Sequence, residues 1–285
     1  MNILTFDIED WYNCDFISGE LDWDKHEVRI YEGVERILEE LERREQKGTF
    51  FCLGWIAEKH PEVIRAIYRN GHHLGCHSYQ HELSSGFCRE EFKKDTLKAK
   101  HLIEDVIGEE IKAFRAPGFS ITKNNVWALR ALVEMGFEYD CSIFPSSHDY
   151  GGMMSYGAGV PKRINVGDGL FIKEFPINIR KLLNKPVVFS GGGYFRLFPY
   201  SLIKRWGKTS DYMMTYFHPR DFDTGQPVMK GLPLIRRFKS YVGIKKAFCK
   251  FKMLLDDFVF CSVAEADKEI DWEKADVISL FDLEK

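Results

Sequence analysis

Short apolar segments and amphipathic segments alternate along most of this chain, and this alternation restricts the fold more than any other feature. A polar or charged residue follows each apolar segment. Strands are predicted at residues 3–6, 49–53, 72–76, 113–115, 139–142, 171–176, 212–217 and 258–260. Helices are predicted at 31–45, 89–107 (ended by Gly108), 126–133 and 199–207, with a short helix from Pro61. The glycine triplet 191–193 is predicted to be a flexible turn. Parallel strands joined by helices bring their carboxyl-terminal ends to one edge, where these polar residues would meet. The pattern therefore predicts an α/β fold built on a parallel sheet or barrel.

The chain is long enough for one large domain. It has 285 residues, of which 45% are hydrophobic, and neither an internal repeat nor a linker divides it. We expect a single domain over residues 1–264, followed by an acidic surface appendage at 265–285. The formal net charge of −3 does not indicate a nucleic acid as a partner.

Cysteine usage and the amino terminus predict a cytoplasmic protein. The seven cysteines are scattered and form no Cys-x-x-Cys pair, so we expect reduced, buried thiols and not a disulfide framework or a zinc ribbon. The amino terminus enters a strand pattern directly, without the basic and hydrophobic segments of a secretion signal. No apolar run approaches the roughly 18 residues of a membrane-spanning helix.

Residues 71–81 contain four of the nine histidines. The last part, His77-Ser-Tyr-Gln-His81, places two imidazoles four residues apart. On a helix, or in a tight turn after a strand, this spacing puts both rings on one side of the backbone. Two neutral imidazoles on one side can bind one divalent metal ion. We expect His72 and His73 to be structural residues of the strand that leads to this pair.

Three carboxylates, Asp7, Glu9 and Asp10, follow the first predicted strand within four residues. They would repel one another unless a cation lies among them. One of them, together with His77 and His81, would complete a three-ligand metal site whose remaining position holds water. A separate carboxylate could accept a proton from that water.

The other predicted strand ends supply Arg115, Asp140 and His218. A cationic arginine beside the base would keep the base ionised and oriented. A histidine across the site could protonate a leaving amine. Together with the metal site, these groups suit the hydrolysis of an amide or an ester.

The order of these motifs resembles that of the polysaccharide deacetylase family, carbohydrate esterase family 4, of the NodB-homology type. The resemblance covers about residues 1–220 and depends on Thr5-Phe-Asp7, His77-Ser-x-x-His81, Arg115-x-Pro117, Asp140-x-Ser142 and His218-Pro219. The local versions Phe-Asp-Ile-Glu-Asp-Trp and Phe-His-Pro-Arg-Asp-Phe-Asp are similar to those of a cytoplasmic branch associated with bacterial surface-polysaccharide synthesis. Residues 221–262 resemble the C-terminal extension of that branch.

The resemblance implies a distorted (β/α)7-type barrel that removes N-acetyl groups from amino sugars of a glycan or a glycan precursor. It implies that Asp7 is the catalytic base and that Arg115 orients it. His218 would be the general acid, supported by Asp140. The partner would be a carbohydrate, with no nucleic acid involved.

The resemblance also implies a divalent metal ion, zinc in the first place, with cobalt, nickel or iron as alternatives. His77 and His81 would bind it. The family has an Asp-Asp pair where this chain has Asp7-Ile-Glu9-Asp10, so Glu9 and Asp10 are both candidates for the third ligand. On an extended backbone Glu9 shares a face with Asp7, which favours Glu9.

A second departure from the family is Gly118, where many members have an aromatic residue after the Arg-x-Pro motif. By resemblance, Pro117 and Gly118 shape the substrate groove, and Gly118 can supply a backbone N–H to the reacting oxygen. The aromatic wall for the sugar would then come from elsewhere. Trp11, Tyr12 and Phe119 are the candidates.

Two other functions remain open. One is a related hydrolase that acts on a small cyclic amide or ureide; the intact histidine pair argues against it. The other is an inactive glycan-binding protein, for which we would expect the loss of at least one of Asp7, His77, His81 and His218. The basic segment 236–252 suits a solvated helix face, or attraction to an anionic membrane surface.

Overall fold

The computed structural model describes residues 1–13, 22–147, 150–183, 185–229 and 231–285. Its strands are β1 (Asn2–Ile3), β2 (Thr5–Ile8), β3 (Thr49–Cys52), β4 (His73–Cys76), β5 (Ala113–Phe114), β6 (Tyr139–Asp140), β7 (Lys162–Gly167), β8 (Leu170–Glu174), β9 (Arg180–Leu182), β10 (Lys185–Val187), β11 (Met213–Met214) and β12 (Val277–Ser279). Its helices are α1 (Ile30–Glu42), α2 (Gly54–Lys59), α3 (Pro61–Arg69), α4 (Arg89–Ile107), α5 (Trp127–Glu134), α6 (Gly192–Leu197), α7 (Tyr200–Lys208), α8 (Leu234–Tyr241), α9 (Ile244–Asp257), α10 (Val263–Glu269) and α11 (Leu280–Leu283).

The strands form a distorted barrel. In the main sheet β2, β3, β4, β5, β6 and β8 lie side by side in this order, and each neighbouring pair is parallel. On the free side of β2, a parallel bridge joins Phe6 to Phe217, so the segment that follows β11 lies against the first barrel strand. Outside the barrel β7 pairs antiparallel with β8, and β12 extends this edge. The expected α/β barrel in a single domain is confirmed.

Local sequence explains the main elements. In α1 the apolar residues Val34, Ile37, Leu38 and Leu41 recur at helical spacing and are buried together. Helix α3 begins with Pro61, whose fixed φ suits the first helical turn. Strands β2 and β3 are buried along their whole length, as expected for parallel strands covered on both faces.

An aromatic cluster joins the first strands to the C-terminal part of the chain. The rings of Phe6 and Phe50 stack with centroids 4.7 Å apart. Phe6 also contacts Phe217 at 6.1 Å and Phe251 of α9 at 5.9 Å. Burying each of these side chains stabilises the fold by roughly 1.5–3 kcal/mol. Helix α9 therefore belongs to the same core as β2 and β3.

Two expectations about the C-terminal part are corrected by the structure. Residues 258–260 do not form a strand; only Cys261 makes a bridge, to Ile3. Residues 265–285 are not a surface appendage, since Ala266 of α10 and Leu283 of α11 are fully buried and β12 adds a strand to the sheet. The acidic composition of this segment conceals the few apolar residues that pack on the core.

The cysteines only partly match the expectation of reduced, buried thiols, and the helices bear on the expectation that no segment spans a membrane. The six cysteines in the described residues are free, but Cys88 and Cys249 are exposed, so the expectation that the thiols are buried is wrong for these two. Cys14 lies outside the described residues. Among the helices of the described ranges, none is long and apolar enough to cross a membrane.

His72 gives the fold a testable dependence on pH. Its ring lies 4.9 Å from that of Phe50, and its Nδ1 atom has no hydrogen-bond partner among the described residues. Burial, reinforced by the charge of Lys47, lowers the pKa of His72 from 6.5 to about 4. The unfolded chain binds this proton more readily, so stability is lost as the pH falls from 6.5 towards 4. Between these two pH values, proton binding at His72 lowers the free energy of unfolding by roughly 3 kcal/mol.

We expect His72→Phe to remove this pH-dependent loss of stability, because a phenyl ring cannot bind the proton. The phenyl ring should still pack on Phe50. Free energies of unfolding from urea titrations between about pH 7 and pH 4 measure the effect. The exposed His101 supplies the control, His101→Phe, which should keep the wild-type pH dependence. An unchanged pH dependence in His72→Phe would contradict the prediction.

Candidate metal centre and catalytic site

Three predicted metal ligands meet at the carboxyl-terminal ends of neighbouring strands. Glu9 follows β2, His77 follows β4, and His81 lies in the turn after His77. One ligand atom of each side chain lies within 4.8 Å of the other two. The rings of His77 and His81 have centroids 5.2 Å apart, and Nε2 of His81 lies 2.8 Å from Oε2 of Glu9. This is the spacing that a shared metal ion requires.

Hydrogen bonding and charge also suit a divalent ion. Nδ1 of His77 lies 2.8 Å from the carbonyl oxygen of Arg115 and must donate to it, which leaves the lone pair on Nε2 for a metal. Burial lowers the pKa of His77 to about 4, so its ring is neutral at neutral pH. Burial would raise the pKa of Glu9, but three neighbouring histidines, led by His81, lower it below its usual range. The residues present therefore fit a metal ion bound by two neutral imidazoles and one carboxylate.

A tight turn, and not a helix, sets the spacing of the two histidines. Ser78 and His81 have φ values of 66° and 57°. Oγ of Ser78 accepts a hydrogen bond from the backbone N–H of His81 at 3.1 Å, and the carboxylate of Asp95 accepts one from the backbone N–H of Tyr79 at 2.9 Å. These bonds hold the turn in the conformation that returns His81 to His77.

Asp10, the other candidate for the third ligand, lies outside this group. Its Oδ2 accepts hydrogen bonds from the backbone N–H groups of Arg29 at 2.7 Å and Ile30 at 2.9 Å, at the start of α1. Its Oδ1 accepts one from the N–H of Trp11 at 2.6 Å. Such a carboxylate satisfies N–H groups that have no partner within the helix. The structure therefore corrects the expectation for Asp10 and brings only Glu9 to the two histidines.

Asp7 lies beside the ligands and is held by Arg115. Nη1 of Arg115 donates to Oδ1 of Asp7 at 2.8 Å and to Oγ1 of Thr5 at 2.7 Å. The guanidinium is fully buried, and its Nε donates to the carbonyl oxygen of Cys141 at 3.2 Å. This arrangement fixes the Asp7 carboxylate, whose Oδ2 lies 3.9 Å from Nε2 of His218.

His218 is held by Asp221, three residues further along the chain. Nδ1 of His218 lies 3.1 Å from Oδ2 of Asp221, which also accepts a hydrogen bond from the backbone N–H of His218 at 3.0 Å. Nε2 then points to Glu9, whose Oε1 lies 3.6 Å away. Burial opposes the charged form of His218, but the neighbouring carboxylates, Glu9 first, outweigh it and raise the pKa. His218 can therefore hold a proton at the site.

The expectation that Asp140 supports His218 is corrected, because Asp221 occupies that position. Asp140 is fully buried and accepts a hydrogen bond from Oγ of Ser142 at 2.5 Å. Its neighbour in β8, Glu174, is buried with it. Burial and the nearby Asp140 raise the pKa of Glu174 well above its usual range, so this carboxyl is protonated. Oγ of Ser142 also accepts a hydrogen bond from the backbone N–H of Ala116 at 2.8 Å. Asp140 and Ser142 therefore stabilise the loops after β5 and β6.

Arg196 links the His218–Asp221 pair to the C-terminal part of the chain. Its Nε lies 3.2 Å from Oδ1 of Asp221. Its Nη1 and Nη2 donate to the carbonyl oxygens of Ser240 at 2.6 Å and Lys239 at 2.9 Å, in the last turn of α8. Burial would raise the pKa of Asp221, but Arg196 and His218 lower it to about 2. Asp221 is thus ionised and can orient His218.

A cavity of about 250 Å³ opens over these residues. Gly118 and Phe119 line it, together with Tyr150 and Tyr216. Gly118 has a φ of 60°, and a Cβ atom there would lie 3.3 Å from Cβ of Tyr150. Tyr150 therefore occupies the space beside Gly118, and the aromatic wall consists of Phe119 with the two tyrosines.

Trp11 and Tyr12 are not part of this wall. Both are buried and pack against His26, with ring centroids 5.1 Å and 5.3 Å away. Nε1 of Trp11 donates to the carbonyl oxygen of Glu27 at 2.9 Å. Pro117 is also buried, as the first residue of the short 3₁₀ turn after β5. The expectation that Trp11 and Pro117 contact the substrate is corrected, since both support the loops behind the cavity.

Sequence reasoning missed Tyr150, Arg196, Tyr216 and Asp221. Tyr216 and Asp221 lie within three residues of His218 in the chain, so their proximity to that motif could have predicted that they belong to the site. Tyr150 and Arg196 lie far from every motif along the chain. For these two the sequence offers no local signal.

The glycine triplet 191–193 was expected to be a flexible turn, and the structure corrects this. Its last two glycines begin α6. Gly192 has a φ of 53°, and a Cβ atom there would lie 2.5 Å from the hydroxyl oxygen of Tyr216. The triplet thus allows α6 to pack closely on the tyrosine that lines the cavity.

Two known families match the chain and divide it near its middle. Residues 3–139 match the family described as polysaccharide deacetylase. Residues 141–268 match a domain of unknown function, DUF3473. This second match begins well before the extension expected at 221–262 and contains His218, Asp221 and Arg196, so both halves contribute to the site.

Individual relatives match either a part of the chain or nearly all of it. A peptidoglycan-N-acetylglucosamine deacetylase of Bacillus cereus is 32% identical over 94 residues, which are 33% of this chain and 34% of the relative. The match thus spans about a third of that relative's length. A solved structure from Mycobacterium smegmatis, assigned to the polysaccharide deacetylases, has a TM-score of 0.67 at 18% identity and covers 97% of this chain and 91% of its own. A carbohydrate esterase family 4 pseudoenzyme from Bacillus anthracis has a TM-score of 0.50 at 13% identity, and the match covers 93% of this chain and 64% of the pseudoenzyme. These two structures show the fold.

Substitution of the two adjacent acids should separate a ligand from a structural carboxylate. We expect Glu9→Gln to weaken the binding of zinc or cobalt by roughly 100-fold or more, because a neutral amide is a poor ligand beside two imidazoles. Asp10→Asn is the matched control. It should keep the metal affinity within about threefold and lower the free energy of unfolding by roughly 1–2 kcal/mol, since one acceptor for the N–H groups of α1 is lost.

Competition titrations with a chelator measure both affinities, and denaturant titrations measure both stabilities. Equal loss of metal in the two variants would contradict the assignment of Glu9. Loss of metal only in Asp10→Asn would reverse it.

Proposed function

We propose that this protein is a metal-dependent N-deacetylase acting on amino sugars of a glycan or a glycan precursor. The observation that supports it most directly is the position of two proton-transfer groups at one three-ligand centre. Nε2 of His218 lies 3.9 Å from Oδ2 of Asp7 and 3.6 Å from Oε1 of Glu9. The polysaccharide deacetylase match over residues 3–139 supports the choice of an acetamide as the bond that is hydrolysed.

In the proposed reaction, a water oxygen adds to the acetamide carbonyl carbon while Asp7 accepts a proton from that water. Arg115 holds Asp7 in the orientation this transfer needs. His218 then donates its proton to the nitrogen as the carbon–nitrogen bond breaks, which releases acetate and a free amine. Asp221 keeps Nδ1 of His218 bonded, so that Nε2 faces the substrate.

We propose zinc as the metal ion, bound by Glu9, His77 and His81. When bound, it would polarise the carbonyl group and lower the pKa of the attacking water. Two imidazoles and one carboxylate are a ligand set typical of catalytic zinc. Cobalt, nickel and iron accept the same donors.

We further propose that the protein acts in the cytoplasm, at the inner face of the membrane, in the synthesis of a surface polysaccharide. Free thiols in the described residues support a reducing compartment. The basic segment 236–252, which spans most of α8 and α9, supports attraction to anionic lipid.

An inactive glycan-binding protein is the competing proposal, because the fold is shared with a pseudoenzyme. Fold alone does not distinguish an enzyme from such a protein. The retained set of Asp7, His77, His81 and His218 favours the enzyme.

Asp7→Asn should lower acetate release by roughly 10²-fold or more, because the amide cannot accept the proton from water, while the metal content stays unchanged. Acetate release from N-acetylglucosamine oligomers, with metal analysis of the same samples, measures both quantities. Asp10→Asn serves as the control and should keep near-wild-type turnover. Retained turnover in Asp7→Asn would remove Asp7 as the base, and turnover of ureides alone would favour the cyclic-amide hydrolase.

Asp221→Asn should reduce kcat by at least about tenfold with a small change in KM, because His218 loses the carboxylate that orients its ring. Asp223→Asn is a matched control two residues away, since Asp223 is also buried but pairs with Arg29 at 2.6 Å. Steady-state kinetics of the two metal-loaded variants make the comparison. Equal kcat values in both would show that Asp221 does not position His218.

A further inference from the structure

A groove between α6 and α8 lies beside the catalytic cavity. Gly193, Tyr216 and Lys239 line both spaces, so the cavity and the groove are adjacent. The α6–α8 groove has a volume of about 430 Å³. Its apolar walls include Phe144, Val188, Tyr194, Leu197, Ile235 and Phe238.

The groove has a buried floor and an exposed apolar rim. Val188 and Phe144 at the floor are 1% and 6% exposed, whereas Ile235 and Phe238 of α8 are 75% and 57% exposed. Leu234, at the start of the same helix, is 83% exposed. Large apolar side chains gathered at the surface beside a cavity indicate a binding site for an apolar group.

Basic residues line the cavity and its boundary with the groove. Lys239 lines both spaces, and Arg220 lines the cavity beside His218. Arg236 of α8 donates a hydrogen bond to the hydroxyl of Tyr150, which lines the cavity as well. Ammonium and guanidinium groups are complementary in charge to a phosphate.

Three chemical environments therefore lie side by side: the proposed deacetylation centre, a boundary lined by basic residues and an apolar groove. A sugar, a phosphate and a hydrocarbon chain follow one another in the same order in a lipid-linked sugar. The apolar walls favour a hydrocarbon over a peptide or a second sugar, because a buried amide or hydroxyl without a partner is unfavourable.

We propose that the α6–α8 groove binds the hydrocarbon chain of a lipid-linked amino sugar whose phosphate lies at Lys239 and whose N-acetyl group reaches Asp7 and His218. The proposed position of the sugar depends on the proposed deacetylase function. The proposed position of the hydrocarbon chain depends only on the groove, so the two parts of the proposal can be tested separately.

Alkyl phosphates, which contain no sugar, test the groove directly. Dodecyl phosphate is titrated against the full chain by calorimetry below its micelle concentration, with hexyl phosphate as the short-chain comparison. Each buried methylene tightens binding by up to roughly fourfold, so dodecyl phosphate should bind at least about tenfold more tightly than hexyl phosphate. Equal affinities for the two chains would overturn the proposal.

Phe238→Ala should weaken the binding of dodecyl phosphate by roughly fivefold or more, because the rim loses its largest apolar contact. Phe281→Ala is the matched control, since Phe281 is 69% exposed and lies in α11, outside the groove. Both side chains are exposed, so neither substitution should impair folding. The same affinity in the two variants would exclude Phe238 from the site and overturn the proposal.

The exposed apolar side chains of α8 could instead insert into a lipid bilayer, and vesicles of anionic phospholipid test this alternative. If vesicles bind the protein while monomeric dodecyl phosphate does not, α8 attaches to a bilayer and the groove proposal is overturned. Acetate release from N-acetylglucosamine oligomers and from N-acetylglucosamine linked through phosphate to an alkyl chain tests the deacetylase function independently. Tight binding of dodecyl phosphate without acetate release from either substrate would uphold the groove and overturn the deacetylase.

Discussion

The buried guanidinium of Arg115 is the interaction on which the rest of the structure depends. It donates to Asp7, to the carbonyl oxygen of Cys141 and to Sδ of Met214, and it lies 4.3 Å from the centre of the Phe51 ring. One side chain thus connects several barrel strands at the ends where the site lies. A buried charge is unfavourable unless it is paired, so loss of its partner would cost roughly 3–5 kcal/mol. The same side chain thus joins barrel strands and fixes the position of the Asp7 carboxylate.

The second half of the chain completes both the core and the site. Phe251 of α9 packs on Phe6 of β2. Asp221 orients His218, and Arg196 joins this pair to the last turn of α8. The segment that matches DUF3473 therefore does not simply follow residues 3–139; it supplies the group proposed as the acid, the residues that hold this group, and most of the groove beside it.

Much of the fold was predictable because its determinants are local. Helix α4 spans residues 89–107 as predicted and ends at Gly108, and the first barrel strands coincide with short apolar runs. The approach of His77 and His81 to each other was predictable too, since their spacing in the chain restricts where the two rings can lie. The strand at 258–260 and the appendage at 265–285 were wrong because short apolar or acidic segments take their structure from what they pack against.

The sequence by itself determined which chemical groups stand at the strand ends: a carboxylate cluster, a histidine pair, an arginine and a final histidine. Only the tertiary structure decided how they pair. Glu9 and Asp10 are adjacent in the chain, yet one meets the histidines and the other caps α1, because the backbone turns between them. Asp140 and Asp221 are alike in type, but only Asp221 reaches His218. A residue's type fixes what it can bind, whereas its partner depends on contacts between segments far apart in sequence, which no local pattern records.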